Sequence, residues 1–117
     1  MLELFGILNC NTVKKARNWL DHNNLQYNFH NFKKEPPTID LLNLWVTQVS
    51  LIKLINRQGT TYRKLSESEK QALSDISSAV HIIQQFPSLI KRPVLVKSHI
   101  VLIGFDEECY FRELIDN

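Results

Sequence analysis

Phe5-Gly6-Ile7-Leu8-Asn9-Cys10-Asn11-Thr12-Val13-Lys14-Lys15-Ala16-Arg17 is the stretch on which the fold turns. Leu2 to Ile7 is apolar apart from Glu3 and predicts a first strand. Asn9 to Thr12 is a polar turn, and from Val13 the apolar residues step as Val13, Ala16 and Leu20, a helical period. Cys10 therefore falls where a strand ends and a helix begins. A helix N-terminus leaves backbone N–H groups unpaired and carries partial positive charge, and both favour a thiolate over a thiol. Lys14, one turn into the helix, places a further positive charge near the sulfur. Lys15 and Arg17 also make the helix basic, with Lys15 pointing elsewhere on the wheel. A lone cysteine is most often a small core hydrophobe. Here its neighbours Asn9, Asn11 and Thr12, its place in a turn and the basic helix behind it favour a functional thiol.

Working outward, His22-Asn23-Asn24 breaks the helix, and Leu25 to His30 alternates apolar and polar as a half-buried strand does. Strand, helix and strand make a βαβ unit with parallel strands. Phe32 to Pro37, with two prolines and three charges, is a loop. Thr38 suits the cap of a helix whose face is Leu41, Trp45 and Val49, widened by Leu42 and Leu44. Leu51 to Ile55 predicts a further short helical piece, and Asn56 to Lys64 a polar, basic loop. Ser66-Glu67-Ser68-Glu69 is a capping box for a helix carrying Leu73 and Ile76. Ser77-Ser78 separates it from another helix with Val80, Ile83 and Phe86 inward, closed by Pro87. Val94-Leu95-Val96 and the unbroken apolar run Ile100 to Ile103 predict an antiparallel hairpin, the second strand buried on both faces. Asp106 caps a last helix with Phe111, Leu114 and Ile115 as its apolar face. The order is β-α-β, an all-helical stretch over about 38–87, then β-β-α. This predicts an α/β, thioredoxin-like fold: a βαβ half and a ββα half sharing a four-stranded mixed sheet, with an all-helical insertion. The whole chain then reads as a single thioredoxin-like domain, 1–117.

The chain has 117 residues, enough for a core without disulfide staples. Two cysteines, Cys10 and Cys109, do not make a disulfide framework and suit a reducing, cytoplasmic setting. A formal net charge of +2 does not call for nucleic acid, and no apolar run approaches the roughly 20 residues that span a membrane. Met1 leads straight into a strand, without the basic region of a signal peptide. His22, His30, His81 and His99 share no metal-ligand spacing with one another or with Cys10, so no metal is expected. Trp19, Trp45 and Tyr62 read as packing residues.

The chain resembles the arsenate reductase (ArsC)/Spx family, and within it the YffB-like subgroup. The resemblance is carried by Gly6-Ile7 through Cys10-Asn11-Thr12-Val13-Lys14-Lys15-Ala16-Arg17, by Asn56-Arg57 with Gly59 to Leu65, by Pro87 to Pro93, and by Gly104-Phe105. It implies that Cys10 is a nucleophile, that Pro93 is a cis-proline facing it, and that Arg92 matches an arginine that holds the oxyanion in arsenate reductases. A planar guanidinium suits an arsenate or a carboxylate. Two further arginines of that oxyanion site are replaced here, by Asn56 and Gly104. Arg57 stands beside the first of these positions, and nothing nearby replaces the second. Spx-type regulators bind RNA polymerase, many with a Cys-x-x-Cys switch; Val13 stands at the second position of that motif, which excludes such a switch but leaves polymerase binding open.

Cys109 reads as structural, so an oxidised Cys10 needs an external thiol. Glutathione, small and anionic, is the expected co-substrate, with no bound cofactor. The expected catalytic residues are Cys10, Lys14 and Arg92, and the expected substrate and glutathione contacts are Asn11, Thr12, Arg57, Thr61, Arg63, Arg92 and Pro93. Arg57 and Arg63 flank Gly59-Thr60-Thr61, whose hydroxyls and backbone suit an anion as well as a solvated surface. Lys64 and Lys91 read as surface. The expected function is a glutathione-linked thiol reductase acting on a disulfide or oxyanion; arsenate reduction and an Spx-like docking protein are the alternatives.

Overall fold

The computed structural model describes residues 1–116. Its elements run β1 (Leu2–Gly6), α1 (Asn11–His22), β2 (Tyr27–Asn31), α2 (Ile39–Gln48), α3 (Leu51–Leu54), α4 (Thr60–Arg63), α5 (Glu67–Ala72), α6 (Ile76–Gln85), a 3-10 turn (Pro87–Leu89), β3 (Val94–Lys97), β4 (Ile100–Ile103) and α7 (Glu107–Leu114). The strands form one sheet in the order β2-β1-β3-β4. β1 is parallel to β2 and antiparallel to β3, and β3 is antiparallel to β4. This is the mixed thioredoxin-like sheet, with helices alone between β2 and β3. By their contacts the residues group into two compact units, Met1–Asn31 with Arg92–Asn117, and Phe32–Lys91.

In the first unit, alternation along the strands puts Leu2, Leu4 and Leu95 on one face, where they form a core with Ala16 and Leu20 of α1 and Tyr110 of α7. Leu25, Tyr27, Phe29, Leu102 and Leu114 pack against that core. On the other face Asn28 Nδ2 donates to Glu3 Oε2 at 2.9 Å, and His30 Nε2 lies 2.6 Å from Glu3 Oε1. These bonds, that to His30 first, hold the Glu3 carboxyl below the usual carboxylate range and tie β1 to β2 by side chains as well as backbone. α1 ends where Asn24 takes a positive φ of 55° and the Leu25 N–H reaches back to the Leu20 carbonyl.

In the second unit α2 packs on α6, burying Leu42 and Trp45 of one and Ala79, Val80 and Ile83 of the other. Thr38 caps α2, and the Ser66–Glu69 capping box opens α5, as the sequence predicts. An antiparallel bridge of Ile55 with Ile90 ties the end of α3 to the end of the 3-10 turn.

Several local expectations are corrected. Leu44 is exposed, because it lies two residues from Leu42 and so about 200° round the helix from it. The break expected at Ser77-Ser78 falls earlier: Asp75 is the N-cap of α6, and both serines sit in that helix's first turn. There the Ser77 hydroxyl bonds the Asp75 carboxylate, and the Ser78 hydroxyl bonds the Ala72 carbonyl at 2.6 Å, the local backbone bonding that serine favours at helix starts. The basic loop after Asn56 contains the helical turn α4. β4 is half-buried along its length rather than buried on both faces, because it is an edge strand. In α7 the buried residue is Tyr110, with Leu114 one turn on; Phe111, 100° away, is 48% exposed, and Ile115 lies beyond the helix, also exposed.

Gly6 fixes how closely β1 meets α1. A Cβ there would come within 2.8 Å of Val13 Cγ2, and the fully buried Val13 has a stiff, branched side chain with nowhere to move. Gly6→Ala should therefore cost about 1–3 kcal/mol, read as a lower denaturation midpoint at unchanged denaturant slope. The double variant Gly6→Ala, Val13→Ala should lose less than the sum of the two single losses.

Candidate active site at the N-terminus of α1

β1 delivers the chain to the first turn of α1, and Cys10 is the N-cap, with extended backbone (φ −149°, ψ 121°). Its carbonyl accepts the first helical bond, from the Lys14 N–H at 3.0 Å. The thiol is outside any disulfide and half-buried, and it accepts no full capping hydrogen bond, so the first-turn N–H groups act on it as nearby dipoles. Burial pushes its pKa up. The Val13 N–H, the Arg92 side chain and the Thr12 N–H, together with the positive charge of Arg92, outweigh that and bring it below the ordinary thiol value. The helix terminus and one guanidinium thus converge on one sulfur, the arrangement that makes a cysteine nucleophilic at neutral pH.

Arg92 comes from the segment entering β3, and its peptide bond to Pro93 is cis, as the resemblance implies. Arg92 Nε is buried, with no hydrogen-bond partner among the described residues. Pro93 is buried, and its carbonyl accepts from the Gly104 N–H at 2.8 Å. Asn11 and Thr12 are exposed in the first turn of α1, Thr12 supplying a backbone donor to the site. Lys14 is exposed on the same helix, and the side-chain charge that acts on Cys10 is that of Arg92. Arg17, further along α1, is engaged elsewhere: its Nε donates to the Tyr27 hydroxyl at 3.0 Å and its guanidinium lies 4.3 Å from the centre of the Phe29 ring.

Arg57, Thr61 and Arg63 belong to the second unit. Arg57 is exposed, its guanidinium 5.6 Å from the centre of the Tyr62 ring. With Ile52, Ile55, Asn56, Gln58 and Lys91 it lines a cavity of about 260 Å³. Lys91, expected at the surface, is exposed but shares that cavity. Thr61 is half-buried and Arg63 exposed on α4. The Asn56 carboxamide accepts from the Gln58 N–H at 3.1 Å and so builds the turn; a Cβ on Gly59 would meet Asn56 Nδ2 at 2.9 Å. Cys109 is a second free thiol, half-buried in the first turn of α7. Among the described residues no group of three His, Cys, Asp or Glu side chains could hold a metal, and no helix is long and apolar enough to cross a membrane.

A mixed four-stranded sheet with a cysteine at its first strand-to-helix junction and a cis-proline ahead of the third strand defines a thioredoxin-like protein. Within that class the chain belongs to the ArsC family, whose profile matches residues 5–112. It is similar to the solved structure of the YffB protein at 38% identity, covering 97% of this chain and 99% of the other with a TM-score of 0.92. An arsenate reductase (ArsC) related protein from Brucella melitensis shows 37% identity over 97% of this chain and 94% of the other, with a TM-score of 0.72. The global transcriptional regulator Spx of Streptococcus pneumoniae is 29% identical over 110 residues, 92% of this chain and 81% of the regulator.

The rate at which Cys10 reacts with iodoacetamide should rise with pH through a midpoint below the unperturbed thiol value of about 8.5. Arg92→Met removes the bond and the charge that favour the thiolate, so the midpoint moves up and the neutral-pH rate falls. Subtracting the rate of Cys10→Ser isolates the Cys10 signal.

Proposed function

We propose that this protein is a glutathione-linked thiol reductase that works through Cys10 as its single nucleophile. The observation that carries the reading is a half-buried thiol outside any disulfide at the N-cap of α1, where the first-turn N–H groups and the Arg92 guanidinium favour its thiolate. The Cys10 thiolate attacks one sulfur of a disulfide between glutathione and a substrate thiol. The S–S bond breaks, the substrate leaves as a thiolate and takes a proton from solvent, and Cys10 is left as a mixed disulfide with glutathione. A second glutathione thiolate attacks that disulfide, giving oxidised glutathione and the Cys10 thiolate. One free glutathione is consumed per turnover: the glutathionyl group passes from the substrate to Cys10 and on to the incoming thiolate without changing its oxidation level, and the substrate sulfur is reduced as the incoming sulfur is oxidised. Arg92 serves twice: it keeps Cys10 ionised, and its planar guanidinium suits a carboxylate of the anionic peptide. Asn11, Thr12 and Pro93 border the same site, and Lys14 adds positive charge to the approach. Arg57, Thr61 and Arg63 are proposed as further contacts for anionic groups. The setting is cytoplasmic, where reduced glutathione is abundant.

Arsenate is the second substrate considered, on the strength of the same Arg92 donor and the arsenate reductase related neighbour. With Asn56 and Gly104 in place of two arginines, an oxyanion here is less fully neutralised than in the reductases the chain resembles. Docking to RNA polymerase, without a redox switch, is the reading that similarity to Spx supports.

Glutathione-dependent reduction of a small mixed disulfide, followed by NADPH consumption through glutathione reductase, separates these. Turnover by the wild type that vanishes in Cys10→Ser supports the reductase, and arsenate added to the same assay tests the second substrate. A wild type that turns over neither rejects the enzyme reading and leaves docking, to be tested by co-purification with RNA polymerase.

A further inference from the structure

We propose that Tyr110 is a positioning residue for the Cys10 site: its buried hydroxyl fixes the Gly104 carbonyl, and Gly104 in turn fixes Pro93 beside Arg92. The inference rests on the reading of Cys10 as nucleophile and Arg92 as the side chain that activates it.

Pro93 has no N–H, so its carbonyl is the only backbone group by which the sheet can hold it. That carbonyl accepts from the Gly104 N–H at 2.8 Å, one step beyond the last β3–β4 pair, Val94 with Ile103. Gly104 itself has left the strand: its φ is +78°, and a Cβ there would meet nothing within 4 Å, so backbone conformation rather than space favours glycine. Its carbonyl is held from α7 by the Tyr110 hydroxyl, which donates to it at 3.3 Å. Tyr110 cannot swing away. Its side chain is 1% exposed, and the ring stands edge-on to Trp19 (centroids 5.6 Å apart, 84°) and to Phe105 (4.8 Å, 87°). Burial first, then the charge of Cys109, raises the phenol pKa, so the hydroxyl stays a donor throughout the range in which thiols react. A rigid aromatic cluster thus supports, through two hydrogen bonds, the residue next to the guanidinium that acts on Cys10.

A buried tyrosine needs a hydroxyl partner for stability alone, so the test must separate positioning from packing. Tyr110→Phe removes only the hydroxyl. The pH profile of Cys10 alkylation should shift to higher pH, with the rate below its midpoint falling roughly two- to ten-fold, the worth of one hydrogen bond. Leu25→Ala, which loosens the same core without touching the two bonds, should leave the profile in place at a lower denaturation midpoint. If Tyr110→Phe does not fold, Gly104→Ala replaces it: the aromatic cluster stays and the positive φ is disfavoured, and the same shift is expected. A Tyr110→Phe or Gly104→Ala profile that overlays the wild type overturns the inference while leaving the reading of Cys10 intact. A wild-type Cys10 that titrates like a free thiol removes that reading and the inference with it.

Discussion

The sulfur of Cys10 sits where three positive influences meet: the Thr12 and Val13 N–H groups of α1 and the guanidinium of Arg92. Burial alone would make this thiol a worse nucleophile, because an apolar setting disfavours the charged form. The site depends on that balance falling the other way, which demands exact placement of both partners. Gly6 brings the end of β1 against Val13, so the chain enters α1 with Cys10 at the N-cap. β3 lies next to β1, and so the segment that enters β3 brings Arg92 to the same end of the sheet. A parallel βαβ half and an antiparallel hairpin supply one partner each.

Much of this is legible in the sequence, and the reason differs from element to element. Val13, Ala16 and Leu20 announce α1 by their period, and the capping residues Thr38, Ser66 and Asp106 announce their helices by chemistry that acts within one turn. Burial is harder, because it depends on what lies across from a residue. Ile100 to Ile103 reads as a central strand by composition, yet the strand order leaves it at the edge. Tyr110 has the opposite history: it is flanked by the equally apolar Phe111, and only the α7–sheet packing decides which of the two is buried. The bond from the Tyr110 hydroxyl to the Gly104 carbonyl has no local signature, since nothing in a sequence marks a carbonyl turned out of a strand by a positive φ.

Asn56 and Gly104, the positions at which the resemblance to arsenate reductases implies arginines in those enzymes, are both used by the backbone here. Asn56 spends its carboxamide oxygen on the Gln58 N–H, and its side chain approaches Gly59 so closely that a Cβ there would meet Nδ2 at 2.9 Å. Gly104 adopts a φ of +78° to turn the chain out of β4 while still reaching Pro93. An arginine at 104 would have room for its Cβ but not an easy backbone. An arginine placed at either position would have to respect the local conformation that Asn56 or Gly104 now supports.

Position 13 limits the chemistry in a different way. A local dithiol needs its second sulfur three residues after the first, and here that place is taken by Val13, fully buried against Gly6. A cysteine at 13 would remove a branched side chain from the contact that seats β1 on α1, so the isolation of the Cys10 thiol in α1 is tied to the packing that positions it. Cys109 is free in α7, after an N-cap, Asp106, that accepts from the N–H groups of Glu108 and Cys109. Cys10 therefore has no second thiol within α1, and the van der Waals contact of Val13 with Gly6 that seats the strand-to-helix junction is what occupies the place of one.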